Sequence, residues 1–105
     1  MKDKLTIVKV GGKIVEDESS LDVLLHGFAA IDGFKLLVHG GGRSATAMAS
    51  RLGIETVMID GRRVTDSDML RIVTMVYAGS VNKNIVARLQ AMGVDALGMT
   101  GADMN

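Results

Sequence analysis

The sequence predicts an α/β fold with a largely parallel central sheet. Short segments rich in β-branched residues alternate with longer segments in which apolar residues recur at helical spacing, and this alternation is expected of strand–helix repeats. Two of the apolar segments run directly into glycine clusters, at residues 11–12 and 40–42. Ligands of open parallel sheets bind beyond the carboxyl ends of the strands, so both clusters are expected at one ligand site.

Each element has its own sequence signal. The segments 4–10 and 34–39 are short, apolar and end at glycine, as buried strands do. The predicted order is strand 4–10, a helix from residue 19 or 20 to 33, strand 34–39, helix 43–52, hairpin 56–65, two helices separated at residue 79 and ending at 93, and strand 94–99.

Capping and turn residues set the boundaries of these elements. Ser19 or Ser20 is the predicted cap of the first helix, and Asp60-Gly61 is the predicted hairpin turn. Thr65-Asp-Ser-Asp68 resembles a capping box and should begin the next helix. Gly79 is expected to interrupt that helix, because glycine in a helix interior is unfavourable.

Composition narrows the class of protein. The 105 residues suit one small domain, and 12 basic residues balance 12 acidic ones. Zero net charge argues against nucleic acid or an anionic membrane as a partner. No cysteine is present and no signal peptide is visible, so a cytoplasmic location is expected. With 48% apolar residues, part of the apolar surface is expected to face something other than water.

The first candidate site follows the first strand. Lys9 lies inside an otherwise apolar strand, two residues before Gly11 and Gly12. A cation beside unblocked backbone N–H groups suits a phosphoryl group in transfer, because charge spreads over its outer oxygens. The alternative is an edge-strand lysine that reaches solvent, and the short motif alone favours that alternative.

The second candidate site is the triple-glycine loop (Gly40, Gly41 and Gly42), which joins a strand to a helix. Exposed N–H groups at a helix N-terminus favour a carboxylate or phosphate. A tight turn is the alternative, but turns rarely need three consecutive glycines. The preceding His39 is better explained as a strand-end residue with hydrogen-bond partners than as a general base.

The third candidate is the hairpin arginine pair, Arg62 and Arg63. Adjacent strand residues face opposite sides, so only one guanidinium can point into a site and bind a carboxylate in bidentate fashion. A solvated hairpin arginine is the alternative. No phosphate-binding GxxxxGK[ST] pattern, dinucleotide-binding GxGxxG pattern or histidine cluster for zinc occurs, and no metal-ligand residues are predicted.

Taken together and in this order, the motifs resemble the acetylglutamate kinase branch of the amino-acid kinase family. The resemblance spans nearly the whole chain and rests on Lys9-Val-Gly-Gly12, Val38-His-Gly-Gly-Gly42, Gly61-Arg-Arg-Val-Thr65, Ala78-Gly-Ser-Val-Asn-Lys83 and Gly98-Met-Thr-Gly-Ala-Asp103. The Gly-x-Arg-Val-Thr hairpin after a triple glycine distinguishes this branch from aspartate and uridylate kinases.

The resemblance implies a fold, a reaction and residue roles. The fold would be a three-layer sandwich, here incomplete. The reaction would be phosphorylation of the side-chain carboxylate of an N-acyl-L-glutamate by ATP with Mg²⁺, in arginine biosynthesis, by a homodimer. Lys9 would stabilise the transferring phosphoryl group, and Gly11 and Gly12 would bind it. Gly41, Gly42 and Arg63 would bind the acylglutamate.

The family's enzymes are more than twice as long as this chain. The resemblance therefore implies that residues 1–105 are the N-terminal acylglutamate- and phosphoryl-binding part of an amino-acid kinase domain, that the C-terminal nucleotide-binding half is absent, and that the isolated chain is a poor kinase. Two alternatives stay open: a non-catalytic ligand-binding or dimerising module, and a kinase of a related small acid. The acyl group, acetyl or succinyl, is left undetermined.

Overall fold

Two parallel strands lie at the centre of the computed structural model, which describes residues 4–104. Strand β1 (Leu5–Val10) pairs with β2 (Phe34–His39), and Lys9 lies opposite Val38. Parallel strands in register end at the same edge of a sheet, so the glycine clusters that follow them lie at that edge. The predicted parallel pairing is confirmed.

Helices and one hairpin make up most of the remaining structure. The helices are α1 (Gly12–Val15), α2 (Glu18–Ala29), α3 (Gly42–Arg51), α4 (Ser67–Val73), a π-helical segment (Thr74–Val81) and α5 (Asn82–Ala91). The hairpin consists of β3 (Met58–Ile59) and β4 (Arg62–Arg63), which pair antiparallel. No helix within residues 4–104 has the length and apolarity needed to cross a membrane.

The hydrophobic core lies between the helices and one face of the sheet. Leu25 and Ala49 are fully buried there, and Val8 and Leu37 pack against the same cluster from the strands. Because side chains alternate along a strand, the other residues of β1 and β2 face the opposite way. That outer sheet face carries five apolar residues that are 43–65% exposed: Leu5, Ile7, Phe34, Leu36 and Val38. The described residues thus form two layers, helices and sheet.

Lys35 connects β2 to the end of α2. Its ammonium donates hydrogen bonds to the carbonyls of Ala29 and Ile31 at 2.9 and 2.8 Å and lies 5.4 Å from the centre of the Phe28 ring. Carbonyls at a helix C-terminus have no partner within the helix, so a lysine placed there provides their hydrogen bonds. Its positive charge also interacts favourably with the negative end of the helix dipole.

Two predicted helix caps are wrong by one to three residues. Asp17, not Ser19 or Ser20, caps α2, because its carboxylate accepts the Ser20 N–H at 3.0 Å while both serines lie within the first turn. Asp66 caps α4 and accepts the Met69 N–H at 2.8 Å. Aspartate is as good a cap as serine, so sequence alone leaves the choice open.

Gly79 does not interrupt the helix that contains it. It lies inside the π-helical segment, and α4, that segment and α5 follow one another without a gap from residue 67 to 91. The predicted break is therefore wrong, and the helix continues through Gly79 with the wider turns of a π-helix.

The predicted strand 94–99 does not form. Its exposure alternates as in a strand, but it pairs with no strand within the described residues. A cavity of about 840 Å³ lies between this segment and β2. Alternation predicts an extended chain, whereas strand formation also needs a hydrogen-bonding edge within reach.

Candidate functional site at the carboxyl edge of the sheet

Arg63 lies at the triple-glycine loop, 21 residues along the chain from Gly42. Its Nη2 donates to the Gly42 carbonyl at 2.9 Å and to Thr46 Oγ1 at 3.1 Å. The hairpin turn that carries it has positive φ at both Asp60 and Gly61, 49° and 74°, as a two-residue hairpin loop requires. The structure therefore brings Arg63, Gly41 and Gly42 together.

Gly41 and Gly42 start helix α3, with Gly41 as the cap and Gly42 as the first helical residue. A Cβ at Gly41 would lie 3.1 Å from Val81 Cγ2 and 3.2 Å from Tyr77 Cδ1. A methyl group at residue 41 would therefore require Val81 or Tyr77 to shift by a few tenths of an ångström, so packing against the π-helical segment favours glycine there. The π-helical segment thus supports the loop from behind.

Glu16 links the two glycine clusters, a contact that no sequence motif predicted. Its carboxylate accepts the Ser44 N–H at 2.8 Å and the Ser44 hydroxyl at 3.3 Å. Ser44 lies in the first turn of α3, where N–H groups lack helical partners. Glu16 therefore occupies part of the helix N-terminus. A glutamate four residues after a glycine pair carries no sequence signal for this contact.

Lys9 lies at the same edge but on the outer sheet face. It is the penultimate residue of β1 and is exposed. Within residues 4–104, no hydrogen-bond or ion-pair partner of its ammonium is found. Lys9 therefore reaches the edge of the sheet as a free cation within the described part of the chain.

Gly11 and Gly12 lie beside Lys9 in open space. Nothing within 4 Å would meet a Cβ at either residue, and the Gly11 backbone, φ −74° and ψ 161°, is accessible to any residue. Neither steric contact nor backbone conformation within the described structure requires glycine there. This contrasts with Gly41.

His39 uses both ring nitrogens in hydrogen bonds. Nδ1 lies 2.8 Å from the Gly40 carbonyl and Nε2 lies 3.0 Å from Asn82 Nδ2. The expectation of a strand-end histidine with hydrogen-bond partners is confirmed. Asn82 and Lys83 extend this network. Both belong to the motif at residues 78–83, but the sequence predicts no role for them, because their burial and contacts depend on the fold.

Two carboxylates have pKa values below the ordinary value for aspartate. Hydrogen bonds from the side chain and backbone of Ser20 lower the pKa of Asp17. At Asp103, the Thr100 N–H at 2.8 Å and hydroxyl at 3.1 Å lower the pKa. The hydrogen bonds of Asp17 cap α2, whereas those of Asp103 close a turn at residues 100–103. Within residues 4–104, no group of three His, Cys, Asp or Glu side chains is placed to hold a metal ion.

Comparison with known proteins identifies relatives along nearly the whole chain. The pattern of the amino acid kinase family matches residues 4–105. Acetylglutamate kinase from Phocaeicola vulgatus is 70% identical over 105 residues, all of this chain and 41% of that protein. Acetylglutamate kinase from Methanopyrus kandleri is 38% identical over 99 residues, 94% of this chain and 37% of that protein.

A solved structure shares the fold. The crystal structure of smu.665 from Streptococcus mutans aligns with a TM-score of 0.71 at 22% identity, over 91% of this chain and 40% of that one. At this identity the likeness concerns the fold alone. The chain spans about 40% of the length of the curated relatives it matches.

Proposed function

The chain belongs to the amino acid kinase family, and from this premise we propose that residues 1–105 are the N-terminal, acylglutamate- and phosphoryl-binding part of an acetylglutamate kinase. In this reaction an oxygen of the side-chain carboxylate of N-acetyl-L-glutamate attacks the γ-phosphorus of ATP. The bond between that phosphorus and the bridging oxygen breaks, giving an acyl phosphate and ADP. No proton transfer is needed, so catalysis rests on alignment and charge neutralisation.

The position of Arg63 is the observation that carries this proposal. Its guanidinium lies against the Gly42 carbonyl at 2.9 Å, although carboxylates bind a guanidinium more strongly than a neutral carbonyl does. Arg63 would release that carbonyl to bind the α-carboxylate of the acylglutamate. Gly41 and Gly42 would bind the acceptor close to its reacting carboxylate.

Lys9, Gly11 and Gly12 suit the phosphoryl side of the reaction. The ammonium is exposed at the end of β1, and the two glycines leave open space beside their backbone. Lys9 would neutralise charge on the transferring phosphoryl group while Gly11 and Gly12 donate backbone hydrogen bonds. Magnesium would enter as part of the ATP substrate and not on ligands from this chain.

The uncovered outer sheet face supports the larger architecture. A second helical layer over this face would complete a three-layer sandwich, and most of the nucleotide site would lie beyond the residues present here. The proposal also includes assembly of the complete kinase into a homodimer, and the chimera described next tests that assembly. Zero net charge supports small-molecule substrates over nucleic acid or membrane.

A chimera tests the proposal directly. This chain would replace the matching 41% of the Phocaeicola vulgatus relative, and acyl phosphate would be trapped as hydroxamate alongside coupled measurement of ADP. We expect turnover that requires both ATP and acetylglutamate, and a dimer in sedimentation. A folded chimera that turns over neither acetylglutamate nor succinylglutamate would contradict the proposed function.

Two substitutions in this chimera separate the proposed roles. Lys9→Met should chiefly lower kcat, because the phosphoryl charge develops in the transition state. Arg63→Ala should chiefly raise KM for acetylglutamate, because the α-carboxylate is bound equally in the ground and transition states. A change of about 100-fold in the affected constant is expected for each. The reverse pattern would show that the two roles are misassigned.

A further inference from the structure

A chain of hydrogen bonds runs from the start of α5 to the triple-glycine loop. Lys83 Nζ donates to Asn82 Oδ1 at 2.9 Å, Asn82 Nδ2 lies 3.0 Å from His39 Nε2, and His39 Nδ1 lies 2.8 Å from the Gly40 carbonyl. Asn82 is 7% exposed and is the one buried polar side chain among the described residues. Buried polar groups of this kind are costly unless satisfied, so the network is an organised one.

The groups at the two ends of this hydrogen-bonded network, the Lys83 ammonium and the Gly40 carbonyl, fix the direction of every hydrogen bond in it. An ammonium only donates, so Asn82 must present its oxygen to Lys83 and its amide nitrogen to His39. His39 Nε2 must then accept. A carbonyl only accepts, so Nδ1 must carry the proton and donate to Gly40. One neutral tautomer of His39 fits, and the same amide orientation of Asn82 satisfies both of its neighbours.

The last acceptor in this hydrogen-bonded network is the Gly40 carbonyl, which belongs to the Gly40–Gly41 peptide. In a trans peptide the carbonyl and the following N–H point in opposite directions. Glycine on both sides gives this peptide little intrinsic preference between orientations. A bond from His39 to the carbonyl therefore sets the direction of the Gly41 N–H.

We propose that Asn82 is a positioning residue for the acylglutamate site. It holds His39 in the Nδ1–H tautomer and thereby fixes the orientation of the Gly40–Gly41 peptide. The kinetic part of this inference rests on the proposed function, whereas its spectroscopic part does not. Neither Asn82 nor His39 needs to touch the substrate for this role.

Gly98 supplies an independent observation on the same network. Lys83 Nζ also donates to the Gly98 carbonyl at 3.1 Å. A Cβ at residue 98 would overlap Asn82 Oδ1 and lie 2.9 Å from Lys83 Nζ. Glycine at residue 98 therefore leaves room for the Asn82 amide, and Gly98→Ala should displace that amide without altering any residue of the loop.

The tautomer is measured first, in the unaltered 105-residue chain. Long-range ¹H–¹⁵N spectra should show His39 Nδ1 protonated and Nε2 unprotonated, with His26→Gln used to assign the signals. One amide resonance is expected for Gly41. An Nε2–H tautomer, or an averaged mixture of both, would overturn the inference whatever the activity of the chimera.

Substitutions then test the consequence. Asn82→Leu keeps the branching of the side chain at Cγ and removes the donor, so His39 should become a tautomer mixture and the Gly41 amide should broaden or split. In the chimera, KM for acetylglutamate should rise about tenfold, with a smaller change in kcat. Asn84→Leu is the matched control, since Asn84 is exposed on the same helix, and should change neither signal nor KM.

Two further variants keep the test decisive if Asn82→Leu fails to fold. Lys83→Met, at an exposed position, and Gly98→Ala should each shift the His39 tautomer in the same direction with a smaller effect on KM. Unchanged Gly41 resonances in variants with a changed tautomer would overturn the positioning role. An inactive chimera with the expected tautomer and Gly41 response would instead contradict only the proposed function.

Discussion

At the scale of single residues, glycines at this sheet edge have different physical causes. A Cβ at residue 41 would lie 3.1 Å from Val81 Cγ2, so glycine there favours close packing within the fold. A Cβ at residue 12 would meet nothing within 4 Å, so packing among the described residues does not require glycine there. A sequence shows both simply as glycine. The structure turns that single signal into two separable hypotheses.

Gly12→Ala is the sharper test of the phosphoryl site. Because residue 12 is helical and unobstructed, the substitution should leave stability unchanged or raise it by about 0.5 kcal/mol. A methyl group beside the proposed phosphoryl site should lower kcat of the chimera by at least about 100-fold. Urea unfolding and steady-state kinetics measure the two effects.

Gly79→Ala provides the matched control for that substitution. Gly79 is also in a helical segment, and nothing within 4 Å would meet its Cβ. It should show the same small gain in stability with no loss of activity. Equal activity in both variants would contradict the role proposed for Gly12.

Residue chemistry could be predicted from the sequence more readily than residue contacts. The sequence predicted Lys9 and Arg63 as candidate cations, because a lysine in an apolar strand and an arginine at a hairpin can both be recognised from the local sequence. The contacts of Glu16 with Ser44, and of Asn82 with His39, join residues 28 and 43 positions apart. Only the folded chain shows such pairs, since neither has a local signature.

At the scale of elements, the carboxylate of Asp17 makes the start of α2 depend on pH. Hydrogen bonds from Ser20 lower its pKa in the folded protein. A lowered pKa means that Asp17 stabilises the fold fully above its unfolded pKa of about 4, and that this contribution is lost as pH falls through the lower, folded value. Acid should therefore weaken the α2 cap.

Comparison of Asp17→Ala with the unaltered chain measures this effect. Unfolding in urea, followed by far-ultraviolet circular dichroism, should show a constant difference in stability between pH 5 and 7 and a shrinking one below about pH 4. Asp32→Ala is the control, because Asp32 is exposed and has no hydrogen-bonded side chain within the described residues. A difference that persists unchanged at pH 2 would contradict the role of the Asp17 carboxylate.

Element types followed from the sequence wherever local pattern decides the structure. The parallel strands, α2, α3 and the hairpin match their predicted positions to within four residues, because periodicity and turn residues are local properties. Gly79 and segment 94–99 were mispredicted for non-local reasons. The π-helical segment packs Tyr77 against Gly41, and residues 94–99 lack a strand partner within the described structure.

At the scale of the whole molecule, the chain exposes more surface than a closed domain of its mass. Its accessible surface is 7546 Å² for 11.1 kDa, whereas a compact monomer of that mass exposes about 5,700 Å². The radius of gyration, 15.2 Å, also exceeds the roughly 13 Å expected for this length. The excess agrees with the apolar sheet face that no helix of the described structure covers.

That face should bind an apolar dye in the 105-residue chain. The five exposed apolar side chains of β1 and β2 form a contiguous patch because paired strands place them side by side. We expect 1-anilinonaphthalene-8-sulfonate (ANS) fluorescence to rise strongly with the isolated chain and only weakly with the chimera, in which a second helical layer would cover the patch.

Substitutions on the patch separate a structured apolar face from loose packing. The double variant Ile7→Thr, Leu36→Thr should reduce dye fluorescence several-fold while keeping the circular dichroism of the folded chain, since threonine also favours strands. Leu70→Thr is the control, because Leu70 is 56% exposed and belongs to helix α4, not to the sheet. Equal dye fluorescence in the double variant and in Leu70→Thr would show that the dye binds elsewhere. Equal dye fluorescence in the 105-residue chain and in the chimera would contradict a second helical layer over the patch. The chimera should instead lose the dye signal and turn over acetylglutamate. Both results would follow from one physical cause, the burial of the apolar sheet face that the two layers of the 105-residue chain leave in water.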